Sequence, residues 1–219
     1  MERRVWYAAF GSNLSYERFL VYLNGGQAPG SLGASPGARD NTAPLRSTTC
    51  FTTRRLVFGH QSVRWSGGGV AFLDSQPGDQ SSEIRTALRL YDITTEQFED
   101  VFQQENGLEE PIAIDLDEVE SKGWADLTDR WYGRVLFLGR DDGLPIVTIT
   151  ASKLPDPNPP HPAYLQTIVT GLTTTIGGAS FGFSDVAQAK ANLVQADGID
   201  DSSGPDDPLW AGIGTYPNE

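Results

Sequence analysis

The 219-residue sequence has one cysteine, Cys50, and two histidines, His60 and His161. A single thiol excludes an intrachain disulfide and a thiolate metal site, and two imidazoles are too few for a catalytic zinc held by several histidines. Cys50 stands in a TTCFTT run with no histidine close in sequence, so no neighbour marks it as a nucleophile. Basic residues are scarce as well: 16 Lys and Arg stand against 29 Asp and Glu, a net charge of -13, which repels phosphate backbones and anionic membranes. No stretch approaches the roughly 20 apolar residues that span a bilayer, and the N-terminus puts charge directly before a strand-like run with no signal-peptide core. A soluble, cytoplasmic protein with neither nucleic acid nor membrane as partner is expected. The dinucleotide loop GxGxxG, the phosphate loop GxxxxGK, the GxSxG elbow and the HExxH helix are all missing, so no cofactor and no metal is expected either.

With 38% hydrophobic residues, 10% aromatics and five Trp, there is enough apolar surface to fill the core of one domain despite 24 Gly and 14 Pro. Charge is uneven: residues 1–65 hold eight arginines against three acids, leaving this third the less negative surface for a small anion, or simply opposite a solvated acidic face. Residues 5–10 form a short apolar strand that breaks at Gly11-Ser12-Asn13, and residues 14–20 have helical spacing. Residues 25–44, rich in Gly, Ala, Pro and Ser, read as an exposed loop. Strands are predicted at 54–62, 69–73, 86–92, 112–116, 132–138 and 145–151. Thr94-Thr95-Glu96-Gln97 opens a helix through Gln104 that Gly107 closes, and a Pro-rich connector at 154–162 leads into a helix over 163–174. Strands outnumber helices and are not joined by regular crossovers, so the expected class is α+β, with a mixed, partly closed, barrel-like sheet flanked by a few helices. One domain over 1–198, with a loop insertion at about 25–53, and an acidic tail over 199–219 complete the expectation.

Two segments can carry chemistry. An apolar strand that breaks into Gly11-Ser12-Asn13-Leu14 and then a helix offers backbone N–H groups to a carboxylate or an oxyanion, although Ser12 or Asn13 can equally be a plain helix cap. In Phe102-Gln103-Gln104-Glu105-Asn106-Gly107 a carboxylate stands at a helix C-terminus, where the helix dipole favours cations and gives it no support. It suits proton transfer if a pocket encloses it, and is otherwise a solvated surface acid. Trp65-Ser66-Gly67-Gly68-Gly69 and the tyrosine of Pro162-Ala163-Tyr164 read as packing features or pocket walls.

Taken in order, these segments resemble the gamma-glutamylcyclotransferase-like family, which includes the AIG2-like proteins. Tyr7 and Gly11 to Leu14 match its Y-x-x-Y-G-S-N-L opening, with Phe10 at the second tyrosine. Trp65, Gly67 and Gly68 match a W-x-G-G segment, VAFLDSQPGD the strand and turn after it, Phe102 to Gly107 an LDxxEG segment, and His161 to Tyr164 a P-S-x-x-Y helix start. The resemblance implies that Glu105 is the catalytic acid/base, that Tyr7, Gly11, Ser12, Asn13, Leu14 and Tyr164 bind substrate, and that no cofactor takes part. The implied reaction closes a small-molecule gamma-glutamyl amide to 5-oxoproline with release of its amine or amino acid. Removal of a gamma-glutamyl protecting group in a biosynthetic pathway, or small-ligand binding without turnover, uses the same site.

Overall fold

The computed structural model describes residues 3–78, 85–183 and 186–197. The acidic tail expected after residue 198 lies outside them. The polypeptide enters on β1 (Arg4–Ala9) and turns through one short 3-10 turn at Ser12–Leu14 into α1 (Tyr16–Asn24). The Ser15 hydroxyl caps that helix by accepting from the Arg18 N–H. There follow β2 (Gly26–Gln27), β3 (Ala34–Ser35), β4 (Ser47–Thr52), β5 (Leu56–Gly59), β6 (Val70–Leu73) and β7 (Thr86–Thr94). Next come α2 (Thr95–Asn106), α3 (Leu116–Lys122), β8 (Trp124–Asp126), β9 (Arg134–Asp141), β10 (Leu144–Thr150), α4 (Pro162–Thr173) and α5 (Val186–Asp197).

Six strands form one mixed sheet in the order β4-β7-β1-β10-β9-β8, with β1 and β10 parallel and the other neighbours antiparallel. β1 is central and buried on both faces. Its period of two sends Val5, Tyr7 and Ala9 to a core shared with α1, α2 and α3, and Trp6, Ala8 and Phe10 to a core shared with the β5–β6 hairpin, α4 and α5. The expected mixed α+β class is what forms, and the sheet stays open. The β5–β6 hairpin curls over it through side chains instead of a backbone ladder: the Thr150 hydroxyl donates to Leu73 O (2.7 Å) and accepts from Leu73 N–H (3.1 Å). Among the described residues no helix is long and apolar enough to cross a membrane.

Two expectations need correction. Residues 112–116 are not a strand: the Asp115 carboxylate accepts from the N–H groups of Asp117 and Glu118, which starts α3, and Ile114 N–H donates to Glu99. A side-group cap on a helix outcompetes an alternating apolar pattern only five residues long. Nor is 25–53 only loop. It holds the β2–β3 hairpin and β4, which pairs along β7 from Ser47↔Tyr91 to Thr52↔Thr86. The segment is also pinned to α2 by Arg39, whose Nε donates to the buried Asp100 carboxylate at 2.7 Å. Cys50 lies on β4, where burial pushes its thiol up to about 11, away from nucleophile chemistry at neutral pH.

Arg89, on β7, is wholly buried and lacks a carboxylate partner among the described residues. Its Nε donates to Leu14 O (3.0 Å) and its Nη2 to Gly171 O and Thr174 O (both 2.8 Å), fastening the loop after β1 to the end of α4. Helix and loop meet here without a spare atom, since a Cβ on Gly171 would stand 2.3 Å from Leu14 C and 2.4 Å from Ser15 N. Arg89→Leu is expected to lose about 3 to 5 kcal/mol in urea denaturation, because three carbonyls lose their donor, with Arg89→Lys recovering only part; a loss below about 1 kcal/mol would remove Arg89 from this role. Gly171→Ala gains up to about 1 kcal/mol of helix propensity but must displace backbone, so a net loss of about 1 to 3 kcal/mol is expected by the same measurement, and a neutral or stabilised variant would contradict the packing.

Candidate active site

The position of Glu105 follows from lengths. β7 runs antiparallel to β1, so α2 starts beside the beginning of β1, where Thr95 N–H donates to Arg3 O (2.9 Å). A reciprocal capping box fixes that start: the Thr94 hydroxyl accepts from Gln97 N–H (3.1 Å), and Thr94 N–H donates to Gln97 Oε1 (3.0 Å). The 12 residues of α2 then cover about 18 Å at ~1.5 Å each, close to the span of about 20 Å covered by the six residues of β1. α2 therefore ends where β1 ends, and Gly107 closes it in the left-handed conformation (φ 58°). Glu105 arrives next to the loop of Gly11 to Asn13.

The two meet directly. Asn13 Nδ2 donates both to Glu105 Oε1 and to the Tyr7 hydroxyl, each at 3.0 Å. They line one cavity of about 150 Å³ together with Gly11, Ser12, Trp65, Ala71, Tyr132 and Tyr164. Tyr164, in the first turn of α4, accepts from Ala71 N–H (3.0 Å) and lies against Gly11 so closely that a Cβ there would stand 2.8 Å from its hydroxyl. Burial pushes the Tyr164 phenol up to about 12, opposed by the Ala71 backbone donor, and burial also raises Tyr7, Tyr22 and Tyr132, with Glu105 adding to each. These phenols remain protonated at neutral pH. Tyr132 spends its proton on Ala71 O (2.9 Å), whereas the hydroxyls of Tyr7 and Tyr164 act only as acceptors among the bonds of the described residues, which leaves their protons for a ligand.

Of the residues predicted from sequence, Tyr7, Gly11, Ser12, Asn13, Glu105 and Tyr164 all line the cavity. Leu14 does not. It packs in the core, its N–H donates to Gly11 O (3.0 Å) and its carbonyl goes to Arg89, so the 3-10 turn consumes the donor expected for a ligand. Phe10 forms part of the wall without filling the cavity. The 25–53 segment reaches the wall as well: Leu32 N–H donates to Arg64 O (3.0 Å), and Arg64 Nη1 donates to Ser35 Oγ (3.5 Å).

Sequence reasoning missed Arg18, Tyr22, Arg64, Gln104 and Tyr132, all in the lining. Arg18 and Tyr22 stand four apart on α1 beside Phe19 and Leu23, so helical spacing alone put an arginine on the apolar face. Tyr132 is held by Asn106, whose Nδ2 donates to Tyr132 O (3.0 Å) and whose Oδ1 accepts from Tyr132 N–H (3.2 Å). The asparagine after Glu105 thus ties down the opposite wall.

No family model matches the sequence. It is 38% identical over 190 residues to a protein named Histone deacetylase 5 from Arabidopsis thaliana; the match takes in 77% of this protein, which spans 28% of the Arabidopsis protein's length. A solved structure named Gamma-glutamyl cyclotransferase superposes with a TM-score of 0.50 at 18% identity, over 86% of the residues here and 88% of those in that structure. The open mixed sheet with a few helices around it is accordingly that of the gamma-glutamyl cyclotransferase fold.

Proposed function

We propose that this protein cyclises a gamma-glutamyl amide to 5-oxoproline and releases the amine or amino acid attached to the γ-carbonyl. The observation that carries the reading is the convergence of Glu105 with the loop of Gly11 to Asn13, 3.0 Å apart through the Asn13 amide in one small cavity. Glu105 takes a proton from the substrate α-ammonium, and the freed amine attacks the γ-carbonyl carbon. The new C–N bond closes a five-membered ring, the leaving nitrogen takes the proton back from Glu105 as the original amide C–N bond breaks, and the second proton that the ring nitrogen sheds passes through Glu105 to the released amine, which departs as an ammonium. N–H groups of the loop, with the phenolic protons of Tyr7 and Tyr164, face the oxygen on which negative charge develops. Because attack is intramolecular, walls that keep the substrate folded back on itself supply much of the rate. No step calls for a metal or a nucleotide.

The test is product analysis. A panel of gamma-glutamyl amines and gamma-glutamyl dipeptides is incubated with the protein and 5-oxoproline is sought by mass spectrometry, with an acetyl-lysine peptide in parallel. Formation of 5-oxoproline from at least one panel member is expected; release of acetate from the peptide alone would favour the activity named for the Arabidopsis protein instead. Glu105→Gln keeps the shape and loses the base, so turnover should fall about 10²- to 10⁴-fold while the melting temperature stays near that of the parent. Unchanged kcat in that variant would take Glu105 out of the mechanism.

A further inference from the structure

Arg18 is 3% exposed and lines the cavity, yet among the described residues only one of its guanidinium nitrogens has a partner. Nη2 donates to the Tyr22 hydroxyl at 2.7 Å, the guanidinium lies over the Tyr22 ring at 4.3 Å, and Nε and Nη1 are buried with no acceptor among the described residues. Burial works against the charge, but the Tyr22 phenol and Glu105 outweigh it and hold Arg18 protonated. A charged guanidinium buried with two donors idle is costly, and the cavity it lines gives a ligand room to complete it. The Glu105 carboxylate is not that completion. It is within electrostatic reach, and shares the Tyr22 phenol with Arg18, but no ion pair joins the two.

The rest of the lining has the same incompleteness with the opposite polarity. Asn13 Oδ1 and Gln104 Oε1 are buried acceptors with no donor among the described residues. Arg64, half-buried, has no carboxylate within 4.0 Å among the described residues. The charged residues of the lining are Arg18, Arg64 and Glu105, so the cavity carries a net positive charge inside a protein of net charge -13.

We propose that Arg18 is the carboxylate anchor of this cavity, which takes a small amino-acid-like anion with its carboxylate on the idle Arg18 donors and any ammonium group toward Asn13 Oδ1, Gln104 Oε1 and Glu105. Arg64 adds to the positive field. A carboxylate fits better than a phosphate because a single negative charge balances the net positive charge of the lining. Where the ligand is a gamma-glutamyl compound, which rests on the cyclotransferase reading, the anchor divides the labour. Arg18 holds the α-carboxylate, and the loop of Gly11 to Asn13 is left to polarise the γ-carbonyl oxygen.

Titration calorimetry on the full-length protein tests the anchor without turnover. The probes are 5-oxo-L-proline, L-glutamate, neutral 5-oxo-L-prolinamide and inorganic phosphate, each against the parent, Arg18→Gln, Arg18→Lys and Arg64→Gln. Arg18→Gln should weaken both carboxylates about 10- to 100-fold and leave the carboxamide within about two-fold, with Arg18→Lys between the two. Arg64→Gln should weaken the carboxylates by a smaller factor. If Arg18→Gln does not fold, Arg18→Lys and Arg64→Gln carry the comparison. Equal loss for carboxylate and carboxamide, unchanged carboxylate affinity in the Arg18 variants, no carboxylate binding by the parent, or tighter binding of phosphate than of either carboxylate would each overturn the anchor. Arg18-dependent carboxylate binding in a protein that forms no 5-oxoproline would uphold the anchor and defeat the cyclotransferase reading.

Discussion

Arg89 holds a full charge in the interior with no carboxylate among the described residues to neutralise it, and what it does have are three carbonyl oxygens drawn from two distant parts of the sequence. Taking a guanidinium out of water costs several kcal/mol, so the arrangement persists only while all three acceptors stay in place. Two of them, Gly171 O and Thr174 O, belong to the end of α4, where the helix dipole puts partial negative charge, and the Phe181 ring lies 5.1 Å from the guanidinium carbon. The third, Leu14 O, belongs to the turn that carries Gly11 to Asn13. The loop and the helix that bears Tyr164 are thus held to each other by one arginine from the middle of the sheet. Tyr91, two residues along β7, adds a second tie by donating its hydroxyl to Asn13 O at 2.9 Å.

With the loop fixed, the other half of the site depends on a match of lengths. A helix begun by a capping box beside the start of β1 has to stop when it has run as far as β1 does, and the left-handed glycine stops it there. The carboxylate then stands at a helix end that repels it. It receives in exchange a donor from Asn13 and a surround of phenols whose desolvation keeps their protons on. The loop is thus placed by a buried guanidinium on backbone carbonyls, and the carboxylate by the matched lengths of a helix and a strand.

Much of this could be read from the residues. Apolar alternation marks β1, Thr94 with Gln97 marks the beginning of α2, and Gly107 marks its end, because each signal is local and each was left unopposed by tertiary packing. Where packing or a nearby polar group decided the outcome, the reading failed. β4 is a run of Thr and Ser with little apolar alternation, which becomes a strand because β7 offers it an edge. Residues 112–116 alternate as a strand would, and Asp115 turns them into the approach to a helix. Leu14 matches a binding motif but is needed by the core. Arg18 is the instructive case: a charge on a helix is ordinarily solvated, and only the approach of α2 and the sheet shows it to be enclosed.

The free edge of β6 shows a further consequence of the cavity wall. Outward-facing backbone groups of an edge strand are open to pairing with another molecule. Here the Ala71 N–H is taken by the Tyr164 hydroxyl, the Ala71 carbonyl by the Tyr132 hydroxyl, and both polar groups of Leu73 by Thr150. Three hydroxyls therefore stand in for a ladder partner along a buried edge, and two of them belong to tyrosines of the cavity. The tyrosines that line the cavity in this protein therefore also satisfy the backbone of the hairpin that closes over the sheet.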